Sequence, residues 1–241
     1  MEQGASLSAI LAPFTPQEWT AILLSLKVAT VGTLVSLPFG LAVAYLLARR
    51  SFPGKTLLNG IVHLPLVMPP VVTGWLLLLG FGRQGPFGHA FEACCGLVFS
   101  FRWTGAALAA AVMGFPLMVR AIRLSIETVD TKLEQAAKTL GAPSPLVFAT
   151  ITAPLALPGI VAGMILAFAR AIGEFGATIT FVANIPGETQ TIATALYSAT
   201  QIPGGEAGAA RLTIVAILIA FAALVVAEIL AARVSRAAMD Q

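Results

Sequence analysis

Charge is scarce in this chain: Lys, Arg, Asp and Glu make up 10% of 241 residues, whereas hydrophobic residues make up 58% and mean hydropathy is +0.91. So few charges cannot cover a soluble domain of this length, which excludes a water-soluble globular fold and makes a bilayer the implied solvent. Histidine is as rare, with His63 and His89 well separated. That argues against a metal centre and against a membrane enzyme, which would need a cluster of His, Asp or Glu at an interface. Cys94 and Cys95 are adjacent, a spacing too strained for an ordinary bridge, so two free thiols are expected. No Gly/Ser linker or polar block of domain size interrupts the chain, which reads as a single membrane domain over 1–241. An internal repeat is also missing, which weighs against a proton-coupled secondary transporter built from inverted halves.

What is present is long apolar runs. Five can each supply the ~20 residues a hydrocarbon core requires, at roughly 20–48, 57–82, 104–124, 155–183 and 210–232. The expected fold is therefore all-α, a polytopic membrane helix bundle. The segment 5–14 is too short for a sixth span and reads as a short surface helix. No Lys or Arg precedes Lys27, so a cleavable signal is not expected and the N-terminus reads as mature. Arg49, Arg50, Lys55, Arg120, Arg123, Lys132, Lys138, Arg233 and Arg236 fall on one side of this arrangement, and only Arg83, Arg102 and Arg211 on the other. The positive-inside rule puts the N-terminus outside and the C-terminus in the cytoplasm. The net charge of +3 is thus a topology signal and gives no reason to expect nucleic acid.

The main departure from apolarity is the run TKLEQAAKTLGAPSPLVFATITAPLALP, 131–158, on the cytoplasmic side. Thr131 and Glu134 have capping-box spacing, and Gly141 supplies the left-handed residue that stops a helix. Leu133, Ala136, Ala137 and Leu140 then form one apolar stripe, with Lys132, Gln135 and Lys138 around the other side. Pro143 and Pro145 force a turn before a second short element. A charged helical knob in a membrane protein reads as a surface kept in water for a partner.

Within the membrane, Pro65, Pro69 and Pro70 delete backbone hydrogen bonds and break the second span, a feature that lines pathways in transporters and equally serves as a packing kink. Gly159, Gly163, Ala167 and Ala171 recur every four residues as a surface for close helix packing. Arg170 and Glu174, also four apart, can pair on one helix, with Thr178 one turn on. Two readings of that pair stay open, a buried polar bend or a charged passage. Lys27 either faces a cavity or snorkels to the outer interface. Gly54-Lys55-Thr56 ends like a phosphate loop, but Arg49 stands where its first glycine belongs and no strand precedes it.

Gln135-Ala136-Ala137, Gly141, Ile151 and Pro154 resemble the EAA loop of ABC importer permeases, E-A-A, three residues, Gly, nine residues, I-x-L-P. Gln135 stands where Glu is usual, with Glu134 just before it, and Ala153 stands where Leu is usual. FPGKTLLNGIVHLPLVMPPVV, FPLMVRAIRL, FARAIGEFGATITFVANIPGETQTI and PGGEAGAARL resemble the molybdate branch of that family, over a stretch from about Trp19 to Arg233. The resemblance implies a type I importer permease in a bacterial inner membrane. It implies a homodimer with two cytoplasmic ATPase subunits that bind the ATP, a periplasmic oxyanion-binding protein received near 184–211, and no cofactor in this chain. Glu134, Gln135, Ala136, Ala137, Lys138, Leu140, Gly141 and Pro154 would couple to the ATPase. Arg170, Glu174, Thr178, Pro69 and Pro70 would line the passage for molybdate, with tungstate, sulfate or thiosulfate as rival cargo.

Overall fold

A computed structural model describes residues 12–239, so most of the 5–14 segment lies outside it. Among the described residues every regular element is helical. The first helix, α1 (Pro16–Arg49), starts at a capping box: the Glu18 amide donates to Thr15 Oγ1 at 3.2 Å and the Thr15 amide to Glu18 Oε2 at 2.7 Å, with Pro16 at the first helical position. It is followed by α2 (Lys55–Val67), α3 (Pro70–Phe81), α4 (Pro86–Cys95) and α5 (Trp103–Thr128). The polar run forms α6 (Thr131–Thr139) and α7 (Ser144–Val147), a π-helical segment Phe148–Thr152, and the single turn α8 (Ala153–Leu155). The chain ends with α9 (Leu157–Ile172), α10 (Gly176–Val182), α11 (Ile192–Thr200) and α12 (Glu206–Met239).

Long-range contacts divide the bundle into two ends. At one, Arg211 pairs with Glu18 at 2.7 Å, the Ile192 amide donates to Ser25 Oγ at 2.7 Å, and the Lys27 ammonium lies 3.6 Å from the Trp103 ring centroid. At the other, Arg49 donates to the Val129 carbonyl and Ser125 Oγ to the Ala156 carbonyl. The starts of α1, α5 and α12 thus share one end, and the ends of α1 and α5 share the other with the start of α9. The described chain traverses the bundle five times, down α1, back through α2–α4, down α5, back through α9–α10 and down α12. Lipid offers helices no hydrophobic drive to associate, so packing falls to small residues that let backbones approach. Ala106, Ala107, Ala109 and Ala110 of α5 are at most 5% exposed, and a Cβ added to Gly32 of α1 would lie 2.8 Å from the Ala107 carbonyl oxygen.

α1, α5 and α12 are long and apolar enough to cross a membrane singly. The other two crossings are broken, 57–82 as its prolines lead one to expect and 155–183 in place of the continuous helix expected there. The second is bent by 115° between α2 and α3, where the Pro69 and Pro70 nitrogens carry no hydrogen to donate. The fourth is bent by 73° at its start, between 144–155 and α9, and its helix stops at Ile172 before α10 resumes at Gly176. The described part of the fold is a bundle of membrane-spanning helices, two of them broken.

Candidate functional site: an outward-facing helix and two meeting breaks

α6 is built inside out. Its N-cap is Asp130, whose side chain accepts from the Lys132 amide at 2.9 Å; Thr131 is already helical, so the expected Thr131–Glu134 capping box does not form. Glu134 turns inward instead and is 5% exposed. Its Oε1 accepts from Arg49 Nε at 3.0 Å and from Thr152 Oγ1 at 2.9 Å, while Arg49 Nη2 donates to the Val129 carbonyl at 2.8 Å. One carboxylate thus ties α6 to the end of α1 and to the π-helical segment. The apolar stripe points the other way: Leu133 is 49% and Leu140 89% exposed, Ala136 is exposed and Ala137 half-buried. Gln135, Lys138 and Pro154 are exposed as well. The helix stops at Gly141, φ +86°, with the Gly141 amide on the Lys138 carbonyl and the Ala142 amide on that of Ala137, a full Schellman closure. Tyr45 meets Phe148 edge-on at 5.1 Å and holds the next element against α1.

At the other end of α9, the residues expected on one helix surround a break. α9 ends at Ile172, so Glu174 lies past the helix, in the turn before α10, and not four residues along a continuous ladder from Arg170. The two still meet, Arg170 Nη1 lying 2.6 Å from Glu174 Oε2. Glu174 is 2% exposed, and its Oε1 accepts from the Ala177 amide at 2.8 Å, satisfying a free donor at the start of α10. This second break sits on the first: a Cβ added to Gly176 would lie 2.7 Å from Pro70 Cβ, and one added to Gly74 2.5 Å from the Ala177 carbonyl oxygen. Pro69 is exposed, Pro70 and Arg170 are half-buried, and Thr178 is in the core at 1% exposure. Ala171 is buried beside them, while Gly159, Gly163 and Ala167 lie along α5: Ser125 blocks a Cβ at Gly159, the Met118 carbonyl one at Gly163, and Ala167 packs on Gly114.

Arg49, Val129 and Thr152 are absent from the sequence-derived set, and Arg49 is 85 residues from its partner. Its position as a cation at the end of a span, opposite an acidic residue in the polar run, was the one signal available. Cys94 and Cys95 are exposed free thiols, and the hydrogen bond between the two sulfurs pushes Cys95 above the ordinary thiol value. Among the described residues no three His, Cys, Asp or Glu side chains gather as metal ligands.

Residues 36–236 match the family described as binding-protein-dependent transport system inner membrane component. The molybdenum transport system permease protein ModB of Escherichia coli K12 is 61% identical over 222 residues, covering 92% of this chain and 96% of that protein. The Haemophilus influenzae protein of the same description is 56% identical over 219 residues, 91% of this chain and 96% of its own. Among solved structures, a bacterial ABC transporter of alginate in complex with its periplasmic protein superposes with a TM-score of 0.71 at 16% identity, over 91% of this chain and 80% of that one.

Proposed function

The chain belongs to the family of inner-membrane components of binding-protein-dependent transport systems, and from that premise we propose that it is the membrane-spanning subunit of an ABC importer that carries molybdate inward. It does no covalent chemistry. A homodimer of this chain binds two cytoplasmic ATPase subunits and receives the oxyanion from a periplasmic binding protein. The Arg49 end of the bundle is the cytoplasmic end, so the N-terminus lies outside and the C-terminus inside. Gly54-Lys55-Thr56 reads as the start of α2 and not as a phosphate loop, since a helix and not a strand precedes it and Arg49 stands where the motif's first glycine belongs.

The observation that carries this reading is α6, a helix whose acidic residue is buried and whose leucines are exposed. Such a helix is complete only against a partner surface, and residues 131–158 form the coupling loop of a single domain. Glu134 makes the docking useful. When the ATPases close, a push on α6 passes through Arg49 into α1 and through Thr152 and the π-helical segment into α9. α9 ends at the Arg170–Glu174 pair, just before Gly176 seats on Pro70, so a shift there changes how the two breaks meet. Arg170 offers an anion a partial counter-charge, and Glu174, already paired with it, keeps that attraction weak, as a passage that must release its cargo requires. Sulfate, tungstate and molybdate share charge and near-tetrahedral shape, so this passage discriminates poorly and selectivity belongs to the binding protein. The 61% and 56% identities to molybdenum permeases favour molybdate as its cargo.

The test is reconstitution. The chain with its companion ATPase and binding protein in vesicles should take up labelled molybdate on ATP addition, and the purified chain alone should turn over no ATP. ATP hydrolysis by the chain alone, or uptake of sulfate with molybdate excluded, would overturn this function.

A further inference from the structure

A cleft of about 300 Å³ opens between α2 and α5, lined by Asn59, His63, Arg120, Arg123, Leu124 and Glu127. No residue of it was singled out for coupling or passage. Its donors are only partly used. Arg123 donates through Nε to Glu127 Oε1 at 2.8 Å and through Nη1 to Asn59 Oδ1 at 3.0 Å. That leaves Arg123 Nη2 and the Asn59 amide nitrogen for a third party. His63 Nδ1 lies 2.8 Å from the Asn59 carbonyl, which can only accept, so Nδ1 donates there and the neutral ring has no second hydrogen to offer the cleft. Arg120 is exposed and makes no hydrogen bond or ion pair among the described residues. Two guanidinium groups against one carboxylate leave the cleft net positive even with His63 neutral.

We propose that this cleft binds a tetrahedral oxyanion group. A guanidinium fork matches two oxygens of such a group, and the Asn59 amide adds a neutral donor at its side. Depth favours the same ligand. Asn59 and His63 lie about 6 and 12 Å along α2 from Lys55, and Arg120 about 12 Å before the end of α5. Given the orientation proposed above, on which this inference rests, that is the headgroup boundary of the cytoplasmic leaflet, where an unpaired arginine draws phosphate. The group has two sources, the phosphodiester of an anionic phospholipid or the free oxyanion released on that side.

The complex with the ATPase, purified and delipidated in detergent, separates them. Retention of phosphatidylglycerol against phosphatidylcholine is read by native mass spectrometry, and labelled molybdate by equilibrium dialysis without lipid. Arg120→Gln removes a side chain with no internal partner, so fold and assembly persist, and Arg50→Gln is the control for an exposed cation at the same end outside the cleft. The expected result is about a tenfold loss of affinity for one of the two anions in Arg120→Gln alone. Loss of phosphatidylglycerol identifies a lipid site; loss of molybdate identifies a site for the free ion. Equal binding of both anions by the two variants overturns the proposal. Binding needs no transport, so a complex that imports no molybdate yet keeps Arg120-dependent binding defeats the transport reading and leaves the site standing.

Discussion

Glu134 and Glu174 are the two buried carboxylates on which α6 and the central break depend, and each does two things at once. Glu134 neutralises Arg49, whose side chain is 11% exposed, and accepts from Thr152. Glu134→Ala leaves that arginine buried without a counter-charge, a change of about 3–5 kcal/mol, whereas Glu134→Gln keeps the Oε1 acceptor and should lose clearly less. Thermal unfolding of the purified complex in detergent checks the order; equal melting of the two variants would mean that the pair does not hold α6. Glu174→Gln likewise keeps an oxygen for the Ala177 amide while removing the charge opposite Arg170. The expected outcome is normal membrane levels and ATPase assembly with molybdate uptake reduced several-fold, and Glu174→Ala should lose assembly as well. Uptake by Glu174→Gln equal to the parent would leave the pair as structure only. The proximity of Arg170 and Glu174 is legible from their spacing of four. Glu134 is not legible in the same way, because its cation lies 85 residues upstream and only tertiary structure brings it near.

Elements show where local signals suffice. Gly141 is read correctly as a helix stop because only glycine takes φ near +86° freely, and a Cβ there would meet nothing within 4 Å, so any substitution acts through the backbone alone. Gly141→Val should therefore unseat the end of α6 without disturbing the bundle. Co-purification of the ATPase should fall, while the amount of permease in the membrane holds. Unchanged co-purification and uptake would remove α6 as the docking element. The start of α6 is misread by one residue, because Asp130 and Thr131 are both good caps and the inward turn of Glu134 decides between them. Pro69 and Pro70 announce the first break, since their missing N–H groups act whatever surrounds them. The break after Ile172 is quiet in hydropathy: apart from Arg170 and Glu174 the stretch 155–183 stays largely apolar, and glycines such as Gly173 and Gly176 are tolerated in a membrane helix. What stops α9 there is partly local, the Glu174 carboxylate on the Ala177 amide three residues on, and partly tertiary, the seat of Gly176 on Pro70.

At the scale of the molecule, the five traverses of the bundle make a claim that hydropathy alone does not. α1, at 34 residues, is about 51 Å long against a hydrocarbon core of about 30 Å, so both ends of the bundle reach water. The bend of 115° between α2 and α3 invites the alternative that this pair turns back to its own side. The internal contacts oppose it: Phe81 at the end of α3 meets Phe99, whose carbonyl lies against Gly105 at the start of α5, the end opposite Arg49. Single cysteines test both points in intact cells with a membrane-impermeant maleimide. The background must lack Cys94 and Cys95, which are exposed; the raised pKa of Cys95 would slow its labelling without silencing it. Cysteines replacing Gln84 and Gln201, both exposed, should react from outside. Those replacing Arg50 and Lys138, also exposed, should react only after permeabilisation. Protection of the Gln84 position alone would turn α2–α3 into a re-entrant loop and break the five-traverse order. Reversal of all four would keep that order, invert the molecule, and leave α6 on the side where no ATPase can reach it.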